Sequence, residues 1–290
     1  MPKTTTVITA LILFIILPFT QLFGGVNDEF REKAFGLKWI AYAPTNFNPE
    51  QDIYPSEKSI RDDLKILYDF GFRGIVTYSA YKSLALIPQI ASETGFRGII
   101  MGVWDIHNKD EIMNAVLSQE YVDGYCLGNE GLNSRYELDD LKDVISSLKR
   151  STGKPCTTTE QVSDYSNPSV SSIGDWIFPN IHPFLCEVKD PQKAALWIQK
   201  YYRILKKHCP DDKIVFFKEV GYPTRGMHKA TESNQKKFFI HMKKSQLPFV
   251  YFEAFDQPWK KSISVEPYWG LFNSKRKPKK FIAEFKDVAN

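Results

Sequence analysis

The stretch Asp123-Gly-Tyr-Cys-Leu-Gly-Asn-Glu-Gly131 has the pattern of a buried strand that ends at a polar surface. Its apolar centre stops abruptly at Asn129-Glu130. The same pattern recurs in Lys213-Ile-Val-Phe-Phe-Lys-Glu219, where β-branched and aromatic residues again end on a glutamate. Because the carboxyl ends of parallel strands meet at one mouth of a barrel, we expect Glu130 and Glu219 to lie close together.

Six further stretches have the composition of buried strands, and nearly all are followed by a helical pattern. This alternation indicates a parallel sheet, and eight units favour a single α/β domain with the closed (β/α)8 TIM barrel. An open doubly wound sheet is the alternative, disfavoured because no glycine-rich phosphate loop follows any strand. The predicted strands lie at residues 37–42, 73–78, 99–104, 125–127, 156–160, 175–182, 213–219 and 249–253.

A short internal repeat supports this interpretation. Gly71-Phe-Arg-Gly-Ile75 recurs as Gly95-Phe-Arg-Gly-Ile99, a step of 24 residues. Each copy has the pattern of a helix stop joined to a strand start, and the step fits one strand plus one helix. Further helices are predicted from Ser56 to Gly71 and at 136–150, 191–208, 231–245 and 279–288.

The N-terminal residues form a separate unit in the sequence. Lys3 precedes an uncharged apolar run at residues 7–19, which suits a signal-peptide core better than a full membrane span. We expect residues 1–25 to be a signal peptide or an uncleaved membrane anchor, with a buried helix as the alternative. Residues 28–290 are expected to form the barrel of an exported, monomeric protein that is secreted, periplasmic or at the cell surface.

Net charge and cysteine spacing bear on whether the protein binds nucleic acid or a metal. The net charge of +4 is too small to indicate binding to nucleic acid. The spacings of the cysteines and histidines match no metal site, so neither a metal nor another cofactor is expected. Cys126 and Cys156 are predicted to be core thiols, whereas Cys186 and Cys209 lie outside the predicted strands and could pair.

Polar and aromatic side chains follow the predicted strands at their carboxyl ends. Carboxylates bind hydroxyl groups and flat rings stack on sugar faces, so this mixture is typical of a carbohydrate site. A pair of glutamates is what glycoside hydrolysis requires, one as acid and one as nucleophile or base. The alternative is that the two glutamates have a structural role, in an ion pair at the barrel mouth. The positions are Tyr78, Trp104, Asp105, Asn129, Glu130, Glu160, His182, Glu219, Glu253 and Asp256.

The chain resembles glycoside hydrolase family 17 of clan A over roughly residues 36–288. The matching segments are Leu127-Gly-Asn-Glu130, Lys218-Glu-Val-Gly-Tyr-Pro-Thr224, Phe252-Glu-Ala-Phe-Asp-Gln-Pro-Trp-Lys260 and Trp269-Gly-Leu-Phe272. The resemblance implies a retaining enzyme acting on β-1,3-glucan, with Glu130 as acid/base, Glu219 as nucleophile and Asn129 on the sugar 2-hydroxyl. The sequence departs from the family at Tyr222, where tryptophan is usual, and at Lys218, where a small residue is common.

The predicted substrate-binding residues each have a structural alternative. Tyr78 and Tyr222 would either line a subsite or pack in the core, and Trp259 would be a sugar platform or a core residue. Asn129 would contact substrate or make a loop hydrogen bond. Glu160 and Glu253 would bind sugar or hold neighbouring groups in place. Two other functions remain open: a β-glucan transglucosylase that uses the same residues, and a non-catalytic glucan-binding barrel.

Overall fold

The computed structural model describes residues 26–283, which contain eight parallel strands in one sheet. Neighbours in the sheet follow the order β5-β4-β3-β2-β1-β8-β7-β6. A parallel bridge between Gln161 and Asn180 joins the two outer strands and closes the ring. The predicted (β/α)8 barrel is therefore confirmed. The strands are β1 (Trp39–Ala41), β2 (Gly74–Val76), β3 (Gly98–Val103), β4 (Gly124–Leu127), β5 (Cys156–Thr158), β6 (Asn180–Ile181), β7 (Phe217–Gly221) and β8 (Phe249–Phe252).

Three helix ends lie where their capping residues predict, whereas the fifth helix is shifted by two residues from the predicted 136–150. Ser56 accepts a hydrogen bond from the Ser59 N–H, and Asp190 accepts one from the Lys193 N–H, as N-caps do. Gly95 ends its helix with φ of 103°. The helices are α1 (Asp28–Gly36), α2 (Glu57–Asp69), α3 (Ile87–Thr94), α4 (Lys109–Leu117), α5 (Leu138–Thr152), α6 (Pro168–Ser171), α7 (Pro191–His208), α8 (Glu232–Ser245) and α9 (Lys280–Ala283).

Helix α1 covers the N-terminal ends of the strands, a role that the sequence did not predict for this charged segment. Its Phe30 ring lies 4.7 Å from the Trp176 ring between centroids. The Lys33 carbonyl accepts a hydrogen bond from the Trp39 indole at the start of β1. The opposite, carboxyl-terminal end of the barrel is therefore left for a site.

The two copies of the internal repeat both contact Trp39. A Cβ atom on Gly74 would lie 2.3 Å from the Trp39 ring, and one on Gly98 would lie 2.5 Å from it. Gly74 begins β2, which is next to β1 in the sheet, and Gly98 begins β3, one strand further along. The second glycine of each copy thus makes room for one buried indole at the bottom of the barrel.

Strands β6 and β7 differ from the sequence prediction. Strand β6 contains only two residues, and Glu219 lies inside β7 rather than at its end. The register between β7 and β8 shifts between Phe217 and Val220, which is a β-bulge of one extra residue. A bulge cannot be read from the apolar pattern, because the pattern assumes strict alternation of faces.

Several predictions concern cysteines and chain ends. Cys126 and Cys156 are buried, as predicted, but Cys186 and Cys209 do not form a disulfide: the first is exposed, the second is buried, and both are free thiols. The predicted N-terminal signal or anchor lies outside the described residues, as does the end of the predicted last helix. Within residues 26–283, no helix has the length and hydropathy that crossing a membrane requires.

Candidate active site

Glu130 and Glu219 meet at the carboxyl-terminal mouth of the barrel. One carboxylate oxygen of each and one ring nitrogen of His182 all lie within 4.8 Å of one another. Glu130 follows β4 with a left-handed backbone (φ of 50°), and its N–H donates to the Thr159 carbonyl at 3.0 Å. The structure therefore brings together the two glutamates that the sequence singled out.

Glu219 is buried between two donors. The Lys218 ammonium lies 3.3 Å from Oε1, and Nε2 of His182 lies 3.1 Å from Oε2. Burial by itself would raise the pKa of the Glu219 carboxyl, but the Lys218 charge, the His182 hydrogen bond and the more distant Lys260 charge together lower it to about 2. Glu219 is therefore ionised at neutral pH, as a nucleophile must be.

Glu130 occupies a different environment. Its side chain is exposed. Asn180 donates to Oε1 at 2.8 Å, and Gln161 donates to Oε2 at 3.5 Å. Both donors come from the β5–β6 side of the barrel, so the carboxyl group is oriented from one side and open to the cavity on the other.

Asn129 is held by its amide oxygen. This oxygen accepts a hydrogen bond from the Lys218 ammonium at 2.5 Å and one from the Asn180 amide at 3.3 Å. The amide NH2 group has no partner among residues 26–283. Because Asn129 lines the cavity, these donors are available to a ligand.

A cavity of about 570 Å³ opens beside the two glutamates and is walled largely by aromatic rings. Three predicted substrate-binding residues line it: Asn129, Tyr78 and Trp259. The Trp259 indole donates to Gln257 at 2.8 Å, which fixes the orientation of the ring. Seven further aromatic residues line the same cavity: Tyr42, Phe47, Tyr54, Tyr81, Trp104, Phe252 and Trp269.

The structure places the other three predicted residues outside this cavity. Tyr222 is fully buried, and its hydroxyl donates to the Lys189 carbonyl at 2.6 Å. Glu160 is buried and accepts a hydrogen bond from the Tyr136 hydroxyl at 2.7 Å, which holds the loop that carries Glu130. The sequence patterns show that these side chains follow strands, but not whether they face the opening.

Glu253 is also fully buried, and it binds Lys260 rather than facing the cavity. The Lys260 ammonium lies 3.0 and 3.1 Å from the two carboxylate oxygens. Burial raises the pKa of the Glu253 carboxyl to about 7, against the opposing effect of the Lys260 charge. Glu253 therefore acts on the cavity through Lys260, which lines it.

Three site residues were not among the predicted ones: Lys218, Asn180 and Lys260. Lys218 was the hardest to predict, because neighbours in a regular strand point to opposite faces. The bulge in β7 instead turns both Lys218 and Glu219 inward, and Lys218 is only 1% exposed. His182 was noted at a strand end, and the structure confirms that it lines the cavity.

The ligand-type atoms of Glu130, His182 and Glu219 are close enough to meet at one metal ion. However, the Lys218 ammonium already lies against Glu219, and its positive charge opposes a second cation. Among the residues that the structure describes, no other group of three such side chains converges in this way. The arrangement is that of two carboxylates with hydrogen-bond donors.

Comparison with known proteins places this geometry in context. Residues 40–270 match the sequence model of the BtgE/BtgC glycoside hydrolase domain. A probable family 17 glucosidase of Saccharomyces cerevisiae is 23% identical over 264 residues, which cover 83% of this chain and 66% of that protein. The chain thus spans about two thirds of the length of this relative.

Solved structures share the fold at lower identity. An endo-laminarinase from Formosa superposes with a TM-score of 0.71 at 18% identity, covering 87% of each chain. An active-site mutant of the Rhizomucor miehei β-1,3-glucanosyltransferase, in complex with laminaritriose, gives 0.70 at 21% identity, covering 84% of this chain and 96% of that one.

Proposed function

This chain belongs to the family of the BtgE/BtgC glycoside hydrolase domain, and we propose that it cleaves β-1,3-linked glucan with retention of anomeric configuration. The predicted resemblance to glycoside hydrolase family 17 is confirmed, and with it the prediction of a glycosidase. The linkage, the retention of configuration and the roles of individual residues are our proposals.

The observation that carries the proposal is the short distance between the two carboxylates. Oxygens of Glu130 and Glu219 lie within 4.8 Å of each other. Retaining glycosidases hold their carboxyl groups about 5–5.5 Å apart, whereas inverting enzymes need about 6.5–9.5 Å to admit a water molecule between acid and base. The spacing therefore favours direct attack by one carboxylate over attack by water.

In the proposed reaction Glu219 attacks the anomeric carbon while the bond to the leaving oxygen breaks. Glu130, in its protonated form, transfers its proton to that oxygen. A covalent glycosyl-enzyme results. Glu130, now a carboxylate, then removes a proton from water as the water oxygen bonds to the anomeric carbon, which releases Glu219.

The two glutamates suit these different roles because their environments differ. Glu219 is buried beside Lys218 and His182 and stays ionised. Glu130 is exposed before substrate binds, and we propose that the sugar itself covers this side chain.

We propose that substrate contacts come from Asn129, Tyr78 and Trp259. The free NH2 group of Asn129 would donate to a sugar hydroxyl, and the Trp259 ring would form a platform for a pyranose face. Glu160 and Glu253 would support the loop and the lysine that they bind. Tyr222 would serve the packing of the barrel rather than a subsite.

The β-1,3 linkage is inferred from relatives and neighbours. A β-1,3-glucanosyltransferase with laminaritriose and an endo-laminarinase share the fold, and a probable family 17 glucosidase shares sequence. We further propose that the protein is exported as a monomer, with residues 1–25 as a signal peptide or anchor. A cell surface mannoprotein of Candida albicans, 21% identical over 260 residues, supports export.

The test is to incubate the full chain with a β-1,3-linked glucose oligomer of defined length. Mass spectrometry would follow product sizes, and NMR of the first products would show which anomer is released. Shorter products that first appear as the β-anomer are expected, and E219A should abolish them while leaving the circular dichroism unchanged. Products longer than the input would indicate a transglucosylase. Binding without turnover would indicate a glucan-binding barrel, and initial release of the α-anomer would overturn retention.

A further inference from the structure

Lys218 is a lysine almost completely enclosed in the barrel, next to the nucleophile in sequence. Its ammonium contacts Asn129 Oδ1 at 2.5 Å and Glu219 Oε1 at 3.3 Å, and it lies 4.4 Å from the centroid of the Tyr78 ring. Burying a charge in this way is costly unless the charge is paired and hydrogen-bonded. All three partners are residues that line the cavity.

We propose that Lys218 is a positioning residue of the reaction, which orients the Asn129 amide toward substrate and keeps the Glu219 carboxylate charged and fixed. This inference rests on the proposed function, since it assigns Lys218 a task in that chemistry. Lys218 would not touch the sugar itself. It would act on one group that binds the sugar and on one that reacts with it.

The orientation of Asn129 follows from hydrogen-bond chemistry. An ammonium group only donates, so the Asn129 atom that faces Lys218 must be the oxygen. The NH2 group then points the other way, with no partner among the described residues, and can donate to a hydroxyl. Without Lys218 the amide could rotate, and the cavity could present an acceptor where the reaction needs donors.

The charge on Glu219 depends on every element packed around it. Lys218 and His182 contact the carboxylate, and Lys260 adds a third positive group. Four acidic groups nearby oppose this effect, because each of them is negatively charged when it ionises. They are Tyr78, Glu130, Glu253 and Glu266. Lys218 is the cation with the largest effect on this site, so its removal should raise the pKa of Glu219.

A lower pKa for the nucleophile bears on the second step of the reaction. The carboxylate that attacks in the first step is the leaving group when water releases the sugar. A weakly basic carboxylate leaves readily, so Lys218 would speed the breakdown of the glycosyl-enzyme. The K218M variant should therefore accumulate this intermediate under conditions in which the wild-type enzyme does not.

The first measurement is a carbon-13 NMR titration of the glutamate side chains, which needs no catalytic activity. The E219Q variant identifies the Glu219 resonance. In K218M, which keeps the bulk of the side chain without its charge, the pKa of Glu219 should rise by about one to three units. The matched control is K65M, which removes an exposed lysine on α2 and should leave the Glu219 titration unchanged.

The second measurement separates the effect of Lys218 on the orientation of the Asn129 amide from its effect on the charge of Glu219. In the wild-type background N129A should lower kcat/KM substantially, but in K218M the same change should cost about five-fold less, because the amide is no longer oriented. K218Q retains an N–H donor without the charge. In K218Q, N129A should therefore lower kcat/KM by a larger factor than it does in K218M. The acid limb of the pH–rate profile of K218Q should still move to higher pH.

Failure of the proposal for Lys218 can be distinguished from failure of the proposed function. If the wild-type chain cleaves no glucan, the proposed function fails, yet the titration still reports whether Lys218 controls Glu219. An unchanged Glu219 pKa in both K218M and K218Q, with the Asn129 loss equal in all backgrounds, would overturn the proposal. If K218M does not fold, K218Q decides both points.

Discussion

The ionised state of Glu219 should be measurable as acid-sensitive stability. Its carboxyl has a pKa of about 2 in the folded protein, against 4.5 for the ordinary side chain. A carboxyl group whose pKa is lowered by folding stabilises the folded state above its unfolded pKa. That contribution is lost as the pH falls through the folded pKa. The E219Q variant lacks the titrating group, so it should lack this pH dependence.

The magnitude follows from the difference of 2.5 between the two pKa values. At about 1.36 kcal/mol per unit, the ionised Glu219 contributes about 3.4 kcal/mol of pH-dependent stability at pH 7. About 2 kcal/mol of this is lost by pH 3, where the unfolded chain is protonated but the folded chain is still mostly ionised. Glu253 titrates in both proteins, so to first order its effect cancels in the comparison.

The assay is urea unfolding of wild type and E219Q at pH 7, 5 and 3, followed by tryptophan fluorescence and circular dichroism. E219Q should be the less stable protein at pH 7, because Lys218 loses its charged partner. The difference in unfolding free energy should shrink by about 2 kcal/mol between pH 7 and pH 3. E32Q, which changes an exposed glutamate on α1, serves as the control. A difference between wild type and E219Q that is the same at all three pH values would refute the reasoning.

Three further predictions concern the site and the loop that carries Glu130. E130A should lower kcat about 10²–10⁴-fold on glucans with an unactivated leaving group, as expected for loss of a general acid, and an unchanged kcat would reject that role. W259A should raise KM about three- to ten-fold with little change in kcat if the ring stacks on sugar, which steady-state kinetics would show. Y136F removes the hydroxyl between Glu160 and the Gly131 N–H, so urea unfolding should show a loss of about 1–3 kcal/mol; full stability would mean that water replaces the bond.

Local sequence patterns predicted most of the fold because they report local causes. Ser56 and Asp190 mark helix starts through hydrogen bonds to nearby N–H groups, and Gly95 marks a helix end through its left-handed backbone. The positions of Glu130 and Glu219 near the strand mouths also followed from the apolar runs before them. Such features depend on a few neighbouring residues, so a linear pattern is sufficient to predict them.

Other features depend on partners that are distant in sequence. The repeat contains a glycine at the start of β2 and another at the start of β3, but the sequence alone does not show why glycine is needed at these positions. The reason is the Trp39 ring, which contacts both positions. Likewise, a tyrosine after a strand can face the mouth or the core, and only the packing of Tyr222 against Phe184, at 5.1 Å between centroids, decides between the two.

The sequence by itself therefore determined the barrel, several of its helix ends and the two glutamates, because periodicity and capping depend on consecutive residues. The tertiary structure decided which neighbours act on those glutamates. Lys218 shows the reason most clearly. In a regular strand it would point away from Glu219, but the bulge that pairing with β8 imposes on β7 turns both side chains inward. Strand register is a property of two chain segments together, and neither segment alone specifies it.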